Sequence, residues 1–179
     1  YFTHDALLTD LAAVNFDLDR VKNDLKYIIS LADSDYTIPH AYYWKDTTFK
    51  TEFAGTENWN HFWFTLVCAR YFRHSGDKEF LNQLYPYVKK SIETGMKNKG
   101  EDDLMYSFRP DWWDIGNNFG PRAYMTILAI RALREFNYLS AQLNHEDNEL
   151  KYYQELADRM ADQLSIKLWD DNLNYLISY

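Results

Sequence analysis

Trp59 to Tyr87 reads WNHFWFTLVCARYFRHSGDKEFLNQLYPY, two apolar stretches at helical spacing hinged on Ser75-Gly76-Asp77. In the first, which begins at Asn58, Trp59, Phe62, Trp63, Leu66, Val67 and Ala69 make one broad apolar face. In the second, Phe80, Leu81 and Leu84 continue into Val88 and Ile92. Gly76 can end the first helix in a left-handed conformation, and Asp77 can cap the second. Pro86 fits the first turn of a continuing helix, where its missing N–H costs nothing. The unit predicted is a helical hairpin with a tight turn.

The same unit recurs on both sides. Asp5 to Phe16 carries Leu7, Leu8, Leu11, Ala12 and Val14, and Leu18 to Leu31 carries Val21, Leu25, Ile28 and Ile29. Ala32 to Glu57 reads as irregular, punctuated by Pro39 and Gly55. Downstream, a polar break from Lys97 to Asp103 leads to a third pair, about Gly120 to Leu143 and Asp147 to Ile166. There Ile127, Ile130, Leu133 and Phe136 are expected to face Tyr153, Leu156, Met160 and Leu164. Leu168 to Tyr179 reads as a turn around Asp170 to Asn172 followed by a short extended segment.

The rhythm is helix, short turn, helix, long loop, three times over, which collects the long loops at one rim. A helix of about 18 residues is about 27 Å long, so each pair can cross a domain. The fold class expected is all-α: about half of an α/α toroid of helical hairpins. Residues 1–179 are then part of one domain. The opening at Tyr1-Phe2, without Met, reads as a chain processed or excised from something longer.

Composition narrows the partners. A net charge of -8 lacks the basic patches that phosphate backbones need, which argues against nucleic acid. No apolar run approaches the roughly 20 residues of a membrane span. The single Cys68 lies in a helical apolar stretch, reads as a small buried hydrophobe and leaves the compartment undecided. The five histidines are scattered without metal-ligand spacing, and no cofactor motif occurs. Aromatic residues, 18% of the chain, gather in Tyr42 to Trp44, Trp59 to Phe64 and Trp112-Trp113, which favours a cleft.

Between the second and third pairs lies Phe108 to Arg122, FRPDWWDIGNNFGPR. Asp111 and Asp114 stand three residues apart around Trp112 and Trp113, with Arg109 on one side, Arg122 on the other and Asn117 beyond. Stacking rings beside carboxylates and amides suit a carbohydrate, which needs a flat apolar platform, many hydrogen bonds and an acid. By spacing alone Asp114 reads first as the N-cap of the next segment.

These residues resemble the six-hairpin glycosidase superfamily, whose (α/α)6 barrel hosts glucoamylases, trehalases, processing α-glucosidases and disaccharide phosphorylases. Tyr1 to Phe16 looks like the acidic start of an early barrel helix bordering the sugar pocket. The segment SGDKEFLNQLYP matches a helix pair with a Gly-Asp turn and a Tyr-Pro ending, and LWDDNLNYL matches the family's ending of a hairpin. Asp111 to Asn117 is similar to the Asp-Trp-Asn-Asp-Gly segment of the cellobiose phosphorylase branch, and a related segment occurs in processing α-glucosidases. The resemblance implies a glycoside hydrolase, inverting, acting on short glucosides, with Asp114 as general acid and Asp111 orienting it or binding hydroxyls.

In hydrolases of that superfamily the base lies in later hairpins, beyond Tyr179, and the partner implied is the rest of the barrel. Phosphorylases use inorganic phosphate and need no base. Trp112, Trp113, Trp59 and Trp44 are candidates for stacking on sugars, while Trp63 and Trp169 read as core. His4 and Asp5 are candidates for binding a terminal sugar at the rim. Two other classes remain open: a non-catalytic helical carbohydrate-binding module, and a toroid lyase or epimerase using His40 and Tyr42.

Overall fold

The computed structural model of the chain describes residues 1–52, 59–107, 120–145 and 148–177. Six α-helices occur among them: α1 (Thr3–Ala13), α2 (Leu18–Ser30), α3 (Asn60–Ser75), α4 (Lys78–Gly95), α5 (Ala123–Gln142) and α6 (Asn148–Leu168). They form three successive hairpins in two layers. α1 packs on α3 and α3 on α5, making the inner layer. α2 lies against α1 and α3, α4 against α3 and α5, and α6 against α5. This is the expected partial α/α toroid, with the tight turns at one rim and the long connections at the other. Among the described residues no helix is long and apolar enough to cross a membrane.

Two of the outer helices, α2 and α4, start on aspartates. The Asp17 carboxylate accepts from the Arg20 N–H at 3.0 Å, and that of Asp77 accepts from the Phe80 N–H at 3.0 Å. Gly76 takes φ 65°, the left-handed stop anticipated for it. Asp77 also receives Lys22 Nζ at 2.6 Å, which ties α2 to the start of α4.

One continuous core runs through all three hairpins, with Leu7, Leu25, Phe62, Phe64, Val67, Phe80, Ala129, Leu133, Phe136 and Met160 almost wholly excluded from solvent. Burying each large side chain contributes roughly 1.5–3 kcal/mol. Cys68 is part of it, with its thiol pushed well above the ordinary range by burial.

Four expectations change. The stretch read as irregular holds an antiparallel hairpin, β1 (Ala41–Lys45) with β2 (Thr48–Glu52), paired from Ala41 with Glu52 to Lys45 with Thr48. Its two turn residues, Asp46 and Thr47, both adopt positive φ (49° and 67°) without glycine, so the usual turn signal is missing. Pro86 lies inside α4, beyond its first turn. Tyr85 stacks on Phe136 and His145 and meets Ser140 Oγ at 3.0 Å, while Tyr87 packs edge-on against Tyr36; these anchors offset the roughly 3 kcal/mol that an interior proline costs. Ile127 is 47% exposed on the inner face and does not face α6. Trp169 is not core: it is 43% exposed, and its Nε1 donates to Asp171. It opens the ladder of β5 (Trp169–Asp170) with β6 (Tyr175–Leu176).

Candidate functional site

The three inner helices present their N-terminal ends at the rim of the long connections. Their N-cap positions are Phe2, Trp59 and Arg122, and none of the three side chains makes a capping hydrogen bond. The contrast with the aspartate-capped α2 and α4 at the opposite rim is electrostatic as well as local. First-turn amides and the positive ends of three parallel dipoles face the same region, which favours an acceptor-rich or anionic ligand.

Side chains tie these ends together. The Thr3 N–H donates to the His40 carbonyl at 2.9 Å, and Thr3 Oγ1 donates to the Pro39 carbonyl at 2.8 Å. This seats the base of the β1–β2 hairpin on α1. Asn60 Nδ2 and His40 Nδ1 are hydrogen-bonded at 2.9 Å. The His40 ring lies 4.7 Å from that of Trp59, and the His4 ring lies 6.0 Å from Trp59 and 6.2 Å from Trp63. Trp63 Nε1 donates to Tyr124 Oη at 2.9 Å, joining α3 to the first turn of α5. Burial holds His4 below the ordinary imidazole value, with Asp5 pulling the other way.

The connection before α5 is clamped at both ends. β3 (Tyr106–Ser107) pairs with β4 (Gly120–Pro121), so Ser107 and Gly120 stand opposite each other. The Arg122 N–H donates to the Met105 carbonyl at 2.8 Å, and Thr126 Oγ1 donates to the Arg122 carbonyl at 2.7 Å. The guanidinium-bearing side chain of Arg122 is buried here. Arg109, Asp111, Trp112, Trp113, Asp114 and Asn117 lie outside the described residues; the ladder at 107 and 120 fixes where their segment joins the ring.

The candidates within the described residues separate. Trp59 is buried between His4 and His40, and its Nε1 has no hydrogen-bond partner among the described residues. Trp44 stands 74% exposed near the hairpin tip, edge-on to Phe49. His4 turns toward the tryptophans. Asp5 instead lines a cavity of about 420 Å³ on the α2 side, with Tyr1, Phe2, Thr9, Arg20 and Asp24. Asn60 and Tyr124 belong to the rim cluster but were not singled out in sequence; Trp63, read as core, is half-buried there and packs against the core. Trp63 and Tyr124 carry the same 3.6-residue pattern as core residues, and only the helix-start position distinguishes them.

Known proteins share this architecture. The chain superposes on the GH78 family rhamnosidase of Bacillus sp. GL1 with a TM-score of 0.76 at 19% identity, covering 99% of this chain and 18% of that one. On a rhamnosidase from Klebsiella oxytoca with rhamnose bound the TM-score is 0.74 at 16% identity, over 95% and 34%. In sequence it is 23% identical over 130 residues to N,N'-diacetylchitobiose phosphorylase of Vibrio furnissii, which covers 66% of this chain and 16% of the phosphorylase. The chain thus spans a minor part of each of these relatives. Residues 26–179 match the family model described as glycosyl hydrolase 94 superfamily, catalytic domain, and the chain belongs to that family.

Proposed function

We propose that this chain forms part of the catalytic domain of a carbohydrate-active enzyme that cleaves a glycosidic bond, with phosphorolysis favoured over hydrolysis. Asp114 protonates the departing glycosidic oxygen, while inorganic phosphate attacks the anomeric carbon from the opposite face. The bond to the leaving sugar breaks as the bond to phosphate oxygen forms. The products are a sugar 1-phosphate and the shortened acceptor. Asp111, Arg109 and Asn117 bind hydroxyls beside the acid, Trp112 and Trp113 stack on the sugar, and His4, Trp59 and Trp44 contribute further along the rim.

The observation that carries this reading is the clamp between Ser107 and Gly120. Those two residues flank the aspartate segment and lie where inner helices without side-chain caps begin, which supports the reading. Membership in the glycosyl hydrolase 94 superfamily and similarity to a phosphorylase favour phosphate as the nucleophile. Uncapped helix starts also suit a phosphate dianion. A lyase or epimerase working through Tyr42 is disfavoured: its phenol is stacked on Tyr1 at 4.4 Å, and burial drives its pKa far above the usual range.

Short α- and β-linked gluco-oligosaccharides and N-acetylated disaccharides, offered with and without inorganic phosphate, test the proposal. Sugar 1-phosphate is expected only with phosphate present, and Asp114→Asn is expected to slow turnover about a hundred- to ten-thousand-fold. Sugar release independent of phosphate would establish the hydrolase instead. Sugar binding without cleavage of any substrate would establish the binding module.

A further inference from the structure

A second cavity, also about 420 Å³, lies on the concave face away from the sugar rim, lined by Leu11, Leu66, Arg70, Arg73, His74, Arg131 and Glu135. Arg70 to His74 sit ten to fourteen residues along α3 from its start, about 15–20 Å from the rim. In a chain of net charge -8 this cavity gathers three guanidinium groups and an imidazole around a single carboxylate.

The geometry points to a binding site for a small phosphate dianion, free or as a monoester, separate from the sugar site. Its walls are built rather than loose. Glu135, on α5 and almost wholly buried, takes Arg131 on one oxygen (Nε at 2.8 Å, Nη2 at 2.5 Å) and Arg73 Nη2 at 2.5 Å on the other. The Arg73 guanidinium also lies 4.0 Å over the Tyr138 ring. The carboxylate therefore fixes two arginines in place while neutralising only one positive charge. Arg70 and His74 make no ion pair or hydrogen bond among the described residues, and both line the same cavity as the two fixed arginines. Arg73 and His74 also complement the negative end of the α3 dipole. That role does not account for Arg70, a turn earlier, or for Arg131, in the middle of another helix.

Planar arginine forks match phosphate oxygens in pairs, and two uncompensated charges suit a dianion better than a monoanion. The volume is in the range of sites for small organic ligands, so a hexose phosphate fits as well as inorganic phosphate.

Calorimetric titration of the intact protein with inorganic phosphate, and separately with a hexose 6-phosphate, distinguishes the two sources. One saturable site is expected for the hexose phosphate, and for inorganic phosphate one site besides that at the rim, with affinity at the arginine cavity falling as salt is added. Arg70→Gln is expected to weaken it about tenfold, and Arg70→Lys less. Because phosphate can also enter the sugar site, the decisive comparison is Arg70→Gln with His74→Gln, two side chains that take no part in the core of residues 1–179. Unchanged affinity for both ligands in that double variant overturns the site. So does the absence of saturable binding up to about 10 mM in the unaltered protein.

Discussion

Asp10 is the residue at which solvent pH acts most directly on this fold. It faces inward from α1 with no exposed surface, and neither carboxylate oxygen has a hydrogen-bond partner among the described residues. Burial raises its pKa to about 7, Asp24 adds to the rise, and Arg20 opposes it. Asp24, nearer solvent, keeps its contact with Arg20 at 3.7 Å. The native protein thus holds a proton that the unfolded chain releases near the ordinary aspartate value of about 3.9. The stabilisation from that proton is complete below about pH 4 and is lost progressively as pH rises toward 7. Asp10→Asn mimics the protonated form. It is expected to leave stability at pH 4 nearly unchanged and to raise it at pH 8 by about 2–4 kcal/mol, measured by denaturant unfolding. A variant less stable than the parent at pH 8 would contradict this. Nothing in Leu-Leu-Thr-Asp-Leu marks Asp10 as buried, because the apolar stripe of α1 passes on both sides of it.

Between elements, α4 approaches α3 closely at Gly95. A methyl group there would lie 2.7 Å from Cε1 and Cζ of Phe62, whose ring is almost wholly enclosed and cannot swing aside. Gly95→Ala gains about 1 kcal/mol of helix propensity but overpacks the contact, a cost of about 1–3 kcal/mol. A net fall in melting temperature is expected, relieved by adding Phe62→Leu, so that the double variant loses less than the two single changes summed. The helices themselves were legible because each buries one face at a 3.6-residue period, and Gly76-Asp77 carries the stop and start in adjacent residues. The β1–β2 hairpin was not. AYYWKDTTFK has aromatic residues on both faces instead of alternation, and its turn uses Asp46 and Thr47 where Asn-Gly is the readable signal. Trp169 likewise looked apolar enough for the core, but the tight ladder of β5 with β6 turns it outward. At the site, residue types alone singled out the aspartate segment, whose residues lie outside the described ones. The rim cluster of His40, Asn60, Trp63 and Tyr124 was not legible, since it exists only once helix starts distant in sequence are brought together.

At the scale of the molecule, the inner face of the half-ring is the open question for stability. Along α1, α3 and α5 the side chains turned away from the outer helices recur at helical spacing: His4, Leu8 and Leu11; Trp63, Leu66 and Arg70; Tyr124, Ile127 and Arg131. Leu8 and Ile127 sit within their helices and are nevertheless 40% and 47% exposed. A closed ring would set further inner helices across this face, removing the apolar stripe from water and enclosing the arginine cavity at its far end. Residues 1–179 expressed alone are therefore expected to bind an environment-sensitive apolar dye and to self-associate as concentration rises, since exposed apolar patches beyond a few hundred Å² rarely persist on monomers. Added salt should strengthen that association if the arginines repel across the interface, because screening at about 0.15 M already shortens their reach to roughly 8 Å. Sedimentation over a concentration series, with and without dye, makes the measurement. A monomer that excludes dye and unfolds in one cooperative step would mean that the concave face is a finished surface, with Leu8 and Ile127 shaped for solvent or ligand rather than for helices across the ring.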